Sequence, residues 1–504
     1  LSEKGLIRKL TTKVHHQNSY LDASSWTDFY RPNFDLVNSE MTLVYEGKHT
    51  KYRGQATKDH LFRLELDSKK FHFGAFGQHI FNLTAMAMRR KNDTRNVDME
   101  APQASDPVTG YTVRMGKVYR YGEPMGVFAQ TYSFLNPITR LNYGVSLMDD
   151  IAFGKKLTMK LGARYDRFTT KDDRKSEGQN LGYIHYLLQN MQGAVMNFDP
   201  IDDKEAGFSF LGIVSYAHSQ LLNASYRFST GFRVPNTEEQ YFQFYSAWPS
   251  FVVLSNRALK AEKSYNHELE LSGKGLGFGY LLSFYYNHYA DFIELKQGTL
   301  TVKEPLMQTP KNISYVKNVN QTSANLKGFD VALQFYPEEW TGILKGFMVS
   351  SAFSYAEGRS SSGMSMLGIQ PLTGNIGLEY TAPKARWQVN AKANLYFAKP
   401  VSQTTFWDKD AAGKELIRRY PASFMSNAYT FDAYGYYKIT RNLTVRAGIY
   451  NILNSEYLRW DDLRQLTNPA LLSNINYFFQ DGKKSLSRFS RPKRYVSLAL
   501  EYKL

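Results

Sequence analysis

No cysteine occurs in this 504-residue chain, which removes disulfides, thiolate metal sites and cysteine nucleophiles together. Ten histidines remain as candidate ligands, but their spacing is poor. His15 and His16 are adjacent, and neighbours on a strand point to opposite faces. His72 and His79 lie seven apart, so neither pair predicts a metal site. No HExxH, GxSxG or Walker-type glycine loop is present. The acid pairs Asp149-Asp150, Asp202-Asp203 and Asp461-Asp462 fall at strand ends or in loops, and adjacent carboxylates on strands diverge. No catalytic set emerges, and an enzyme is not expected. The residues that stand out are Tyr241, Phe242, Phe244, Tyr245, Trp248 and Phe251. Rings crowded into one short loop make an apolar patch larger than a free surface tolerates, which marks an interaction site. Interface cores are enriched in these residue types, so a protein-binding surface is the favoured reading.

Something must hold that loop, and the flanking sequence predicts strands. Period-two patterning appears at 263–275, 278–296, 322–337, 347–358, 373–383, 385–398, 428–439, 442–457 and 493–504. Upstream it continues at 39–50, 60–70, 78–90, 139–153, 156–169, 207–218 and 220–232, with the first forty residues unclear. Connectors alternate in length. Tight turns are expected at 273–277, 338–345, 383–386 and 439–442, and long loops at 91–138, 170–206, 297–321, 359–372, 399–427 and 458–492. Outer-membrane β-barrels have this alternation, with short periplasmic turns and longer extracellular loops. In the last ten residues Val496, Leu498, Leu500, Tyr502 and Leu504 share one face, while Ser497, Ala499, Glu501 and Lys503 share the other. That is a lipid-facing exterior over a polar interior, on a span long enough to cross at a tilt. The expected fold class is all-β, an antiparallel transmembrane β-barrel, with about seventeen strands in this chain. Tyr285, Tyr286 and Tyr289 fit an interfacial girdle.

Composition agrees. The hydrophobic share of 43% gives a negative mean hydropathy, as an alternating barrel does, and no apolar run is long enough for a helical span. The net charge of +16 is scattered through turns and loops, apart from a cluster at Lys483, Lys484, Arg488, Arg491, Lys493 and Arg494. It predicts a solvated surface, with contact to anionic lipid head groups as the alternative, and no nucleic-acid partner. The sequence opens at Leu1 without a signal segment, so a secretion signal is expected to have been removed or to lie outside the sequence.

Residues 229–264, STGFRVPNTEEQYFQFYSAWPSFVVLSNRALKAEKS, resemble the FRAP…NPNL segment of TonB-dependent outer-membrane receptors that take haem or iron from host proteins. Phe232, Arg233 and Pro235 match the first half. Asn256, Leu259, Lys260, Glu262, Lys263 and Ser264 match the second, in which Arg257 and Ala258 replace Pro-Asn. Further on, Asn451, Leu453, Asn454, Tyr457, Trp460 and Arg464 resemble the end of the transferrin, lactoferrin and haemoglobin receptor branch. At 492–495 the sequence reads Pro-Lys-Arg-Tyr without the family's glycine, and Leu504 stands where the family usually has an aromatic.

The resemblance implies a 22-stranded barrel filled by an N-terminal plug. Residues 1–504 would then be the C-terminal part of the barrel domain, without the plug and first strands, and the aromatic loop would join strands 13 and 14. It further implies binding of a host carrier protein, with haemoglobin favoured and transferrin or lactoferrin as alternatives. Haem or iron would be cargo rather than prosthetic group. Other implied partners are the TonB–ExbB–ExbD complex, acting through the plug, and outer-membrane lipid and lipopolysaccharide. Receptors for free haem usually carry a histidine between the two motif halves, and none lies between Pro235 and Asn256. Tyrosine can ligate ferric haem and aromatic faces can cover a porphyrin, so a haem-facing role of the loop stays open beside the protein-binding one. A passive porin-like channel and a soluble β-rich binding protein are the readings from other classes. Arg233 and Glu262 are expected to anchor the two feet of the 234–261 loop, since a charge facing a polar lumen needs a partner.

Overall fold

A computed structural model describes residues 6–35, 40–102, 111–114, 117–120, 128–132, 137–172, 201–242, 244–247, 250–302, 311–409, 415–420, 426–462 and 490–503. No helix in it is long and apolar enough to cross a membrane. Among the described residues, sixteen long strands pair in chain order. They are β1 (Ile7–Asp35), β2 (Glu40–Ser68), β3 (Gln78–Pro102), β4 (Ile138–Phe153), β5 (Leu157–Asp172), β6 (Asp202–Ser219), β7 (Leu222–Arg233) and β8 (Glu262–Gly275). They continue as β9 (Phe278–Val302), β10 (Lys311–Phe335), β11 (Phe347–Ser360), β12 (Thr373–Thr381), β13 (Trp387–Tyr396), β14 (Ala428–Lys438), β15 (Leu443–Tyr450) and β16 (Tyr495–Tyr502). Each is antiparallel to the next.

The expected turns at 273–277, 338–345, 383–386 and 439–442 all lie at one end of this meander, and the 399–427 connector lies at the other. Adjacent turns are stitched together there. Lys274 N–H donates to Gln220 O (2.8 Å), Tyr336 to Gly277 (2.7 Å), Thr381 to Gly346 (2.8 Å), Lys438 to Arg386 (2.8 Å) and Lys503 to Asn442 (2.9 Å). These bonds continue the pairing past the ends of the regular ladders, where a sheet in lipid would otherwise leave backbone groups unpaired.

Three expectations change. Segments 39–50 and 60–70 are one strand, β2, rather than two. The first forty residues hold β1, which runs along β2 from Ile7↔Ser68 to Asp35↔Glu40. The 91–138 and 297–321 connectors are shorter than expected, because β3 runs to Pro102 and the β9–β10 ladder continues to Val302↔Lys311. All three share a cause. These strands have 25 to 29 residues, far beyond the roughly ten that cross a bilayer, and their outer parts are polar. Backbone pairing needs no apolar side chain, so the extensions read as loop by composition.

One face is apolar and exposed, the other polar. On β4, Tyr143, Val145 and Leu147 are exposed and alternate with Asn142, Gly144 and Ser146. On β16, Val496, Leu498, Leu500 and Tyr502 are exposed. The polar face is laced by pairs such as Arg164–Asp166 (2.5 Å) and Arg227–Glu268 (3.0 Å), with Ser283 Oγ donating to Glu268 (3.1 Å). Two buried apolar clusters lie at the loop end, one of Ile138, Ile201 and Tyr241 and one of Phe406, Tyr420 and Trp460.

Close strand approach sets one firm requirement. A Cβ on Gly435 of β14 would lie 2.2 Å from the Gln388 carbonyl oxygen and 3.2 Å from Val389 Cα on β13. Gly435→Val therefore requires the β13–β14 backbones to separate. The variant is expected to lose the heat-modifiable, folded band on gels, whereas Ala433→Val, two residues along the same strand, keeps it.

Candidate functional site

The site is built where β7 stops and β8 starts. Arg233 and Glu262 are direct partners on the last rung of that ladder. Pro235, fully buried, has no N–H to continue the strand. Asn236 then begins a one-turn helix, α1 (Thr237–Tyr241), with a capping box. Asn236 Oδ1 accepts from Glu239 N–H (2.7 Å), and Glu239 Oε2 accepts from Asn236 N–H (2.8 Å). Arg233 ties this turn to both strands. Its Nη1 donates to Glu239 (2.9 Å) and its Nη2 to Glu262 (2.9 Å). Glu262 is buried, and its Oε2 also accepts the Ile293 N–H (3.1 Å), a donor beyond the end of the β8–β9 ladder. Phe232 packs in the space above Gly207, where an added Cβ would meet the ring at 2.5 Å.

The second motif half closes onto the first. Asn256 N–H donates to Gln240 O (3.0 Å), and Asn256 Nδ2 donates to Asn318 O (2.8 Å). Asn256 Oδ1 accepts from Ala258 N–H (3.3 Å), which turns the chain. Leu259 is buried. Lys260 is exposed, but its backbone is held from both sides by Asn320, whose Oδ1 accepts the Lys260 N–H (2.8 Å) and whose Nδ2 donates to Lys260 O (3.1 Å). The structure thus brings Phe232, Arg233, Pro235, Asn256, Leu259, Lys260 and Glu262 together as the two feet of one loop.

Between the feet, Phe244–Ala247 and Ser250–Leu254 form a short hairpin. Its second strand lies parallel to β10, from Phe251↔Ser314 to Leu254↔Lys317. Because β9 occupies one edge of β10 at these positions, the hairpin takes the opposite edge. Val252 and Leu254 are buried, as are Ile313 and Val316. Phe244, Tyr245 and Phe251 are described here by backbone alone, and Trp248 lies outside the described residues. Phe242 is half-buried and caps α1.

Tyr241 departs from the expected exposed set. It is 6% exposed and packs with Ile138 and Ile201. Its hydroxyl donates a short hydrogen bond to Asp203. Burial, and then the Asp203 carboxylate, push the hydroxyl far above its usual pKa. A phenolate ligand is disfavoured there, so Tyr241 fixes the loop rather than meeting a ligand. Around it Arg257 reaches Asp203 (3.7 Å), and Arg140 donates to Thr170 (2.9 Å) and Gln240 (3.4 Å). Arg140, Gln240, Asn318 and Asn320 escaped sequence reasoning, and Asp203 entered it only as half of a diverging acid pair. The only available signal was the Asn-x-Asn spacing of 318 and 320, which puts both on one strand face.

A second assembly joins three loops at the same end. Trp460 Nε1 donates to Leu367 O (2.7 Å), and Lys399 Nζ donates to Ile369 O (2.6 Å) while lying 5.3 Å from the Trp460 ring centroid. Tyr457 stacks on Tyr396 at 5.4 Å. Asn451 and Asn454 adopt left-handed backbone at φ 50° and 54°, which this side chain tolerates. Arg464, with the basic positions Lys483, Lys484 and Arg488, lies outside the described residues.

The receptor-family model described as "TonB dependent receptor-like, beta-barrel" matches residues 6–452. The chain belongs to the TonB-dependent receptor family. It is 26% identical over 395 residues to Hemoglobin-binding protein A of Haemophilus influenzae, covering 74% of this chain and 38% of that protein. It is 29% identical to Hemoglobin-haptoglobin utilization protein B of Neisseria meningitidis, covering 69% and 42%. To Lactoferrin-binding protein A of the same species it is 27% identical, covering 72% and 36%. The chain thus spans about two-fifths of the length of these relatives. Among solved structures, Copper transporter OprC matches with a TM-score of 0.53 at 16% identity, covering 91% of this chain and 58% of that one. P. aeruginosa FpvA bound to a heterologous pyoverdine matches with a TM-score of 0.54 at 10% identity, covering 98% and 54%. These structures establish the β-barrel fold and nothing finer.

The Lys399 ammonium is buried, and desolvation brings its pKa from the ordinary 10.5 down to about 8, with Glu357 opposing the shift. The unfolded loop binds the proton more tightly than the folded one, so stability rises as pH climbs from about 8 towards 10.5. Trypsin-independent proteolysis of the 397–427 loop is expected to slow over that window, and Lys399→Met is expected to abolish the pH dependence.

Proposed function

We propose that this chain is the barrel portion of an outer-membrane receptor that captures a host carrier of haem or iron, with haemoglobin the favoured carrier. The observation that carries the reading is the clamped loop. Its two feet are held by Arg233, Glu262, Asn256 and Asn320, so the segment between them starts and ends at defined points. Preorganisation of this kind lowers the ordering cost of binding a large partner. The names of the relatives point the same way, since haemoglobin-binding proteins recur among them.

In this reading the outer loops hold the carrier, and Phe242, Phe244, Tyr245, Trp248 and Phe251 contact it or the haem it yields. A plug domain would open when the TonB–ExbB–ExbD complex pulls on it, with energy from the inner-membrane proton gradient. Haem or iron is cargo and no prosthetic group is needed. Lactoferrin or transferrin is the second reading, because a lactoferrin-binding relative matches almost as well.

Receptor purified from outer membranes should be retained on haemoglobin-agarose and not on transferrin- or lactoferrin-agarose, and haem-dependent growth should require TonB. Tyr245→Ala and Trp248→Ala should each weaken carrier binding by about 2 kcal/mol, the scale of an aromatic hot spot, while the barrel stays heat-modifiable. Growth without TonB would point to a passive channel instead. Unchanged binding in both variants would move the contact to other loops.

A further inference from the structure

The apolar face of β13–β16 is not uniformly convex. Ala433 and Gly435 of β14 and Ala447 of β15 floor a groove of about 720 Å³. Trp387 and Tyr437, cross-strand partners, form its rim at the turn end, and Ile449 and Val496 close the other end. From Val445 to Ile449 the groove runs four residues, about 13 Å of strand. Small residues on a lipid-facing wall leave a recess between the larger side chains at its two ends.

The rim is strongly basic. Lys384 and Arg386 sit on the 382–386 turn and Arg441 on the 439–442 turn, whereas Lys438, 5.6 Å from the Tyr436 ring, and Lys503, beside Glu501, alternate to the opposite face. Backbone bonds Lys438 N–H to Arg386 O (2.8 Å) and Lys503 N–H to Asn442 O (2.9 Å) hold these three segments side by side. The Arg386 guanidinium lies 5.3 Å from the Tyr437 ring centroid, directly over the groove's rim. No acidic residue occurs in 380–392 or 433–443, and Glu501, which Lys503 neighbours, lies on the other face in an ion pair with Arg446 (2.8 Å), so among the described residues no carboxylate ion pair involves Lys384, Arg386 or Arg441. Exposed cations in such numbers repel one another, and the groove below them supplies the other half of a ligand that is anionic at one end and apolar at the other.

We infer that this groove binds an anionic phospholipid of the periplasmic leaflet. One acyl chain lies over Gly435 and Ala447, and the phosphate sits among Arg386, Lys384 and Arg441 at the level of Trp387. The inference rests on the outer-membrane reading above, which makes the short-turn end periplasmic. Trp and Tyr at an interface, with basic side chains reaching past them to head groups, is the arrangement such a ligand needs.

The test uses receptor extracted from outer membranes in mild detergent and checked first for heat-modifiability and outer-membrane fractionation. Native mass spectrometry then follows adducts with added phosphatidylglycerol or phosphatidylethanolamine. Phosphatidylglycerol is expected to be retained at about tenfold lower concentration, as several basic contacts to an anionic head group imply. Arg386→Gln combined with Arg441→Gln should erase that preference, and Ala447→Phe should reduce retention of both lipids by filling the groove. Equal retention of the two lipids, or a preference that survives both variants, overturns the proposal while leaving the receptor reading intact. Displacement of phosphatidylglycerol by lipopolysaccharide assigns the groove to the other leaflet and also overturns it. Absence from the outer-membrane fraction would instead sink the receptor reading itself.

Discussion

Arg233 faces Glu262 across the last rung of the β7–β8 ladder, and the loop above depends on that ion pair. Glu262 is buried, so its charge must be matched, and two donors do so from different segments. They are Arg233 on β7 and the Ile293 backbone on β9, and Arg233 also donates to Glu239 of the capped turn. Removing one partner of such a network leaves a buried charge without compensation, which costs more than the pair is worth when intact. The ion pair therefore sits on the last rung of the ladder and holds the turn that Pro235 and the Asn236 capping box begin.

Order is distributed unequally between the two ends of the sheet. At the turn end, connections are short and neighbouring turns share backbone hydrogen bonds. At the loop end, tertiary structure replaces the ladder, and the buried clusters around Tyr241 and Trp460 are small cores built outside the barrel wall. Both clusters mix apolar packing with charged groups, Asp203 and Arg257 in one and Lys399 in the other. Beyond the apolar band the loops need packing of their own, and these clusters supply it.

The turns and the apolar alternation were legible in the sequence because both are local. A two-residue period and a Gly- or Pro-containing connector reveal themselves within about ten residues. Both motif halves were legible for the same reason, and so was the place of Arg233 and Glu262 at strand ends. Strand length was not, because residues such as 47–58 are polar yet pair with β1 and β3 along their whole length. Nor were Asn318 and Asn320, which lie about sixty residues from Asn256 and Lys260 and meet them only through the β8–β9–β10 register. Tyr241 misled for a different reason. A ring with a hydroxyl looks the same in sequence whether exposed or buried, and the Asp203 partner that settles it comes from another strand.

The central claim is that the Arg233–Glu262 pair orders the entire 234–261 loop. Hydrogen exchange on the backbone amides of Glu239, Asn256 and Lys260 tests it directly, in a double-mutant cycle of Arg233→Ala, Glu262→Ala and the combined variant. The account predicts faster exchange at all three amides in each single variant and little further change in the double. The coupling energy should be about 2 kcal/mol, while the β14–β15 ladder stays protected. Additive effects, or exchange at Asn256 and Lys260 that matches the parent when Arg233 is removed, would contradict it.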